Sequence, residues 1–199
     1  MRQFIYYSRT APTSGSKIKE DLQKSGRLDI AIHTIIAAFF LSHKFREDVK
    51  LHLIFDGQPD PPKHLELKPQ TEGKTGIDKI YLSKKNISPV IKRMLYKYKQ
   101  GIKNEVHPGF WIEKKSFSSL IKELAQNYSL YLLDKKGKDI REIEIQENPV
   151  FILGDHVGLP SKELKRLKSL TTPVSIGPNT YFASQTVAIV QNELDRQNL

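Results

Sequence analysis

Short apolar runs rich in β-branched and aromatic residues alternate along this chain with longer stretches of three-to-four-residue apolar period. QFIYY (3–7), KLHLIF (50–55), GFWIE (109–113), SLYLL (129–133), VFIL (150–153) and PVSIG (173–177) carry the first pattern and predict strands. Residues 28–43, 88–100, 116–126, 161–170 and 183–197 carry the second and predict helices. Such alternation predicts an α/β fold with a mostly parallel sheet. No internal repeat and no clean boundary interrupts it, so one domain spanning 1–199 is expected.

Turn and cap residues sharpen the boundaries. Ser88-Pro89 predicts an N-cap followed by proline at the first helical position, and Gly101 an end to the same helix. Ser116 can cap the next helix. DGQPDPPK (56–63) predicts a loop, and 68–87, poor in apolar residues, predicts an excursion. Within 28–43 the apolar residues run almost all round the helix, which requires burial on several sides. Both the centre of the domain and a second subunit would provide that.

Composition adds a partner class. Lys and Arg number 32 against 22 Asp and Glu, a net charge of +10, which favours a polyanion: nucleic acid or an acidic membrane surface. The absence of cysteine removes disulfides, zinc ribbons and thiol nucleophiles, and makes an intracellular, cytoplasmic location the default. MRQFIYYSR lacks the apolar core of a signal peptide, and IIAAFFL (35–41) is too short to span a bilayer, so no membrane association is expected.

Several motifs fail. TEGKTG (71–76) ends like a phosphate-binding loop, but the required first glycine is Lys68. G-x-G-x-x-G and G-x-S-x-G are absent. Six scattered histidines form no close ligand pair, so no metal is expected, and Asp155-His156 reads as a loop hydrogen-bonding network.

Two loops share one grammar. Gly154 and Gly177 each follow a predicted strand and precede a helix, at the carboxyl ends where open α/β sheets bind ligands. Glycine there would let a ligand reach backbone amides, and Pro178 would stiffen the second loop. A flat heteroaromatic group suits the pair: main chain reads its edge, and Ile176, Tyr181 or Leu133 covers its faces. Two ordinary strand-to-helix turns would look the same, and in isolation the residues favour that plainer reading. In the 88–100 helix, Ile91, Met94, Leu95 and Tyr98 form a core stripe, and Lys92, Tyr96, Lys99 and Lys103 follow one another on another face. Lys84, Lys85, Arg93 and Lys97 add charge nearby. Such a face meets either solvent or a phosphate backbone with a stacked base, and the net charge tips the balance towards RNA.

Taken in order, SGRLDI (25–30), FFLSHKFREDV (39–49), DGQPDPP (56–62), NPVFILGDHVGLP (148–160), VSIGPNTYFASQ (174–185) and IVQNELD (189–195) closely resemble the archaeal tRNA pseudouridine N1-methyltransferases of the SPOUT superfamily. The resemblance covers essentially the whole chain. It implies a C-terminal trefoil knot, a homodimer, and S-adenosyl-L-methionine bound in the knot beside the subunit interface. Leu133, Gly154, Ile176, Gly177, Pro178, Asn179, Thr180 and Tyr181 would cradle this cofactor. Thr186 stands where family members often carry cysteine and would line the same pocket; His33 stands where they often carry a basic residue. The implied reaction methylates N1 of a pseudouridine in the tRNA T-loop, at position 54. Asp29 is then the candidate proton acceptor or orienting carboxylate, and Arg27 the candidate clamp on a phosphate or base carbonyl; alternatively Asp29 only favours a helix N-terminus. Arg9, Lys17, Lys24, Lys92 and Lys99 are expected to contact tRNA. A non-catalytic RNA-binding protein and a methyltransferase acting on rRNA or a uridine ribose are the rivals.

Overall fold

The computed structural model describes residues 1–68 and 84–199. TEGKTG and most of the 68–87 stretch lie outside the described residues. The strands are β1 (Arg2–Ser8), β2 (Val49–Phe55), β3 (Lys63–Leu67), β4 (Asn104–His107), β5 (Phe110–Glu113), β6 (Leu130–Asp139), β7 (Val150–Gly154) and β8 (Thr172–Ser175). The helices are α1 (Leu28–Phe39), α2 (Lys84–Tyr96), α3 (Phe117–Leu124), α4 (Ser161–Leu167) and α5 (Ala183–Arg196), with a 3-10 turn at Gly15–Lys17.

All eight strands join one sheet in the order β4-β5-β3-β2-β1-β7-β6-β8. The run from β2 to β8 is parallel, and β3, β5 and β4 extend one edge antiparallel. This is the expected mostly parallel α/β sheet. Successive side chains of β1 point to opposite faces. Phe4 and Tyr6 face α1 and α5, while Ile5 and Tyr7 face α3. Each fully buried Leu or Phe in these layers stabilises the fold by about 1.5–3 kcal/mol.

The sequence pattern misses β3 and β4. In β3 the alternation is broken by polar residues that are buried or half-buried yet satisfied. Lys63 Nζ donates to Asp60 O at 2.6 Å and Oδ2 at 2.7 Å, and Glu66 pairs with Lys103 at 2.8 Å. Helix α1 ends at Phe39, not 43, because the chain reverses there. Phe40 bridges Phe45, their rings lie 4.2 Å apart, and Arg46 N donates to Phe39 O at 2.8 Å. α1 packs on β1, β2, α2 and α5, so the central position accounts for its apolar surface.

Helix α2 runs 84–96 rather than 88–100, with Pro89 inside it rather than at its start. After Tyr96 the chain turns, and Asn104 Nδ2 donates to Lys97 O at 2.8 Å. Lys99 and Lys103 therefore leave the helical face that the spacing assigned them; Lys103 sits over the Trp111 ring at 5.6 Å. Ser116 caps α3 as expected, accepting from Ser119 N at 3.1 Å. No helix among the described residues is long and apolar enough to cross a membrane.

Candidate active site

The middle of β6 and the carboxyl ends of β7 and β8 open into a cavity of about 540 Å³. Its walls come from residues 132–135 of β6, from residues of the 153–159 and 174–186 loops other than Val157, Ser175, Pro178 and Ser184, and from Leu164 and from Ile30 of α1.

The first loop is organised by Asp155. This buried carboxylate accepts from Ser8 Oγ at 2.8 Å, Arg9 N at 3.2 Å and Val157 N at 2.9 Å. Asp155 N donates to Tyr7 O at 2.9 Å, so the loop is stitched to the end of β1. The loop then folds back over Gly154. A Cβ there would lie 2.7 Å from Gly158 C and 2.9 Å from Leu159 N. Glycine at 154 thus first serves the loop's own close packing; backbone access for a ligand comes second.

The second loop leaves β8 at Ser175, whose Oγ sits 3.2 Å from both Gly177 N and Gly177 O. Gly177 has φ +132, a value that side-chain-bearing residues rarely adopt. The loop ends at α5, where Phe182 N donates to Gln185 Oε1 at 3.1 Å and Thr186 N to Phe182 O at 2.9 Å.

Of the residues singled out for a cofactor, Leu133, Gly154, Ile176, Gly177, Asn179, Thr180, Tyr181 and Thr186 line this one cavity. Pro178 lies in the same loop but outside the lining. Asp134, Lys135, Leu159, Phe182 and Gln185 also line it and went unnoticed in the sequence. Asp134 and Lys135 had a signal: they are the first polar residues beyond the apolar end of a strand next to Leu133. The apolar walls and few convergent polar groups, in a volume typical of small-ligand sites, fit a nucleoside-bearing ligand.

Arg27 and Asp29 stand beside this cavity. Arg27 precedes α1 with φ +57, and its Nε and Nη2 each lie 3.0 Å from a different Asp29 oxygen. Burial pushes the Asp29 carboxyl up, and the Arg27 hydrogen bonds and charge outweigh it, leaving it below the ordinary carboxylate range. Both residues act electrostatically on Tyr6, whose hydroxyl is buried without a partner. Burial, then the Asp155 charge, raise that phenol above its usual value.

The basic residues follow a continuous seam from the cavity. Arg9 N meets Asp155; Thr10 Oγ1 donates to Gly26 O at 2.9 Å; Lys19 N donates to Ser25 Oγ at 2.8 Å; Lys92 Nζ donates to Ile18 O at 3.4 Å. Arg9, Lys17 and Lys92 are thus brought onto this seam. Lys24 flanks it, paired with Asp21 at 3.3 Å, while Lys99 is exposed in the turn beyond α2.

A second polar cluster lies in the sheet, away from the cavity. Gln3 Oε1 lies 3.1 Å from His52 Nε2, His52 Nδ1 2.9 Å from His64 Nε2, and His64 Nδ1 3.0 Å from Glu113 Oε1. Ligand atoms of His52, His64 and Glu66 lie within 4.8 Å of one another, the spacing a cation needs. The two imidazoles already bond each other, and Glu66 is engaged by Lys103.

Comparison with known proteins gives the family. The family model for SAM-dependent RNA methyltransferases matches residues 1–199. A Pyrococcus abyssi (strain GE5 / Orsay) protein named tRNA (pseudouridine(54)-N(1))-methyltransferase is 37% identical over 204 residues, covering 98% of each chain. The fold is shared with Archaeoglobus fulgidus Nep1 bound to S-adenosylhomocysteine, at TM-score 0.66 and 13% identity, covering 99% of this chain and 98% of that one. With its entire length matched and its two glycine loops closing on one cavity, the chain belongs to the SAM-dependent RNA methyltransferase family.

Proposed function

We propose that the protein methylates N1 of pseudouridine in the T-loop of tRNA, at position 54, the activity for which the Pyrococcus relative is named. The observation that carries this reading is the single cavity enclosed by both glycine loops, with Ile30, next to Asp29, in its wall.

Leu133, Ile176 and Tyr181 would cover the faces of the adenine of S-adenosylmethionine, and the Gly154 and Gly177 loops would read its edge and ribose. Bound there, S-adenosylmethionine supplies a methyl group already activated by the sulfonium charge. The chain's main task is then alignment, which supplies roughly 7–11 kcal/mol when reacting atoms are held in line. Turning the target base out of its stack costs a few kcal/mol. Arg27 would hold a base carbonyl or phosphate, and Asp29 would accept the hydrogen bond from N1–H. A carboxylate held this low is a weak base, so it orients N1–H first. It takes the proton only as the new N–C bond forms and N1–H becomes strongly acidic.

The rest of the reading is a cytoplasmic, single-domain homodimer whose C-terminal segment threads a trefoil knot. The knot is carried over from the family resemblance; β6 and β8 themselves form a parallel pair with a register shift, in which Val174 stands opposite both Leu133 and Lys138. Support for the dimer comes from exposed Phe182 and Val157 beside the cavity.

The test is mass spectrometry of tRNA transcripts with and without pseudouridine, incubated with S-adenosylmethionine. A gain of one methyl confined to pseudouridine-containing tRNA supports the reading. Tight tRNA binding with no methylation and no cofactor binding in calorimetry would leave the non-catalytic alternative, and methylation of rRNA alone would redirect the substrate.

A further inference from the structure

The 3-10 turn Gly15–Lys17 packs against α2 so closely that position 15 has no room for a side chain. A Cβ on Gly15 would lie 2.7 Å from Lys92 O and 2.7 Å from Tyr96 Cδ2 and Cε2. The Tyr96 ring therefore rests by one edge on the glycine, yet it remains 59% exposed. A ring held by one edge keeps its orientation while the rest of it stays open to solvent, so a flat partner could stack on it with little ordering cost.

Cations surround it. Lys92 sits one turn back on the same helix, Arg93 and Lys97 flank the ring in sequence, and Lys17 ends the turn that holds it; all but the half-buried Lys92 are exposed. The acids nearest in this stretch of chain are Glu20 and Asp21, and Asp21 is engaged by Lys24. The hydrogen bonds that link Asp155 with Arg9, Thr10 with Gly26, and Ser25 with Lys19 lead to Ile18, whose carbonyl accepts from Lys92 one turn from this ring.

We propose that Tyr96 is a stacking platform for an unpaired nucleotide of the RNA substrate, outside the reaction pocket, with Lys17 and Lys92 taking the adjoining phosphates. A base stacks on a fixed ring without regard to sequence, and the cations neutralise the backbone on either side. The site would hold the RNA beyond the target base and so set its register against the cavity. This inference rests on the RNA methyltransferase reading for its partner, but not on which base is methylated.

The experiment measures binding of an oligouridine strand and of a tRNA T-arm hairpin, without methyl donor, to the full chain and to Tyr96→Ala, Tyr96→Phe and Gly15→Ala. Loss of one stacked base weakens binding about tenfold in Tyr96→Ala. Tyr96→Phe keeps the ring and should bind as the parent does. Gly15→Ala displaces the ring with no change of charge and should reproduce the loss. In turnover, the loss should appear in KM for RNA rather than in kcat. Unchanged RNA affinity in Tyr96→Ala overturns the proposal, as does a changed oligomeric mass without loss of RNA affinity, which would make the ring a subunit contact. Tyr96-dependent RNA binding by a chain that methylates no pseudouridine transcript would support the platform while defeating the proposed reaction.

Discussion

Arg27 grips Asp29 from just outside helix α1, with two guanidinium nitrogens each 3.0 Å from a separate carboxylate oxygen. A planar fork of this kind is specific to arginine. It holds the carboxylate in one orientation beside the cavity and keeps it ionised.

If Asp29 receives the N1–H hydrogen bond, Asp29→Asn lowers kcat by about a hundredfold or more, with cofactor affinity preserved. If it only favours the start of α1, the same change costs a few tenths of a kcal/mol of stability and no rate. The pH dependence separates the two further. The carboxyl is depressed, so activity that needs its ionised form persists to pH values below the ordinary carboxylate range. Arg27→Gln removes the main depressing partner, and the acid limb of the kcat/KM profile should move to higher pH.

Gly154→Ala should lower both stability and cofactor affinity. The new methyl would meet the backbone of Gly158 and Leu159, not the tip of a flexible side chain, so the loop must shift. Calorimetry with S-adenosylhomocysteine reads the affinity, and a thermal melt reads the stability. A variant that melts lower and binds as before would show that the loop shapes the fold without touching the ligand.

What the sequence disclosed followed from burial with a simple period. β1, β2, β7 and the first half of β6 are buried on both faces and stood out; the polar second half of β6, 134–139, did not. β3 did not, because Lys63 is buried by pairing with Asp60 in the preceding loop, while buried His64 and half-buried Glu66 pair with Glu113 and Lys103 far along the chain, and such pairing leaves no periodic trace. The cavity residues were legible through the two glycine loops and the family resemblance. Lys99 was misplaced because nothing local marked the end of α2 at Tyr96; Gly101, the obvious stop, has φ +75 but lies in the turn beyond.

Acid should destabilise the protein in two stages. Burial, with the neighbouring His64, holds His52 well below its ordinary value; burial also lowers His64, partly offset by Glu113. Between those depressed values and the unfolded value of about 6.5, the unfolded chain binds more protons, so stability falls as pH falls below about 6.5. Glu113 is raised by burial but brought to about 2 by His64 and Lys115. Asp195 is brought to about 2 by Arg46 first, then Arg2, against burial. Their contribution is present above the unfolded carboxylate range and is lost as pH falls from about 4 towards 2. Melting temperature against pH checks this: His52→Gln should flatten the upper stage, and Asp195→Asn the lower. The Asp195 carboxylate is part-exposed, so its removal should cost only about 1–2 kcal/mol at neutral pH, mostly by stripping a partner from buried Arg2.

Thr186 tests how closely the cavity fits its ligand. It sits in the first turn of α5, 9% exposed, where relatives by resemblance often carry cysteine. Threonine and cysteine are similar in volume, and Thr186 N–H is already satisfied by Phe182 O, so Thr186→Cys needs no backbone change. Its affinity for S-adenosylhomocysteine should stay within about threefold of the parent, well under the 1–3 kcal/mol typical of overpacking. Thr186→Leu projects extra bulk into the cavity that Thr186 lines and should weaken binding about tenfold or more if the ligand lies against α5. Calorimetry on the two variants, with melting curves to confirm folding, gives the answer. Equal affinities for Cys and Leu would mean that the bound molecule lies away from α5, against the Gly154 loop alone.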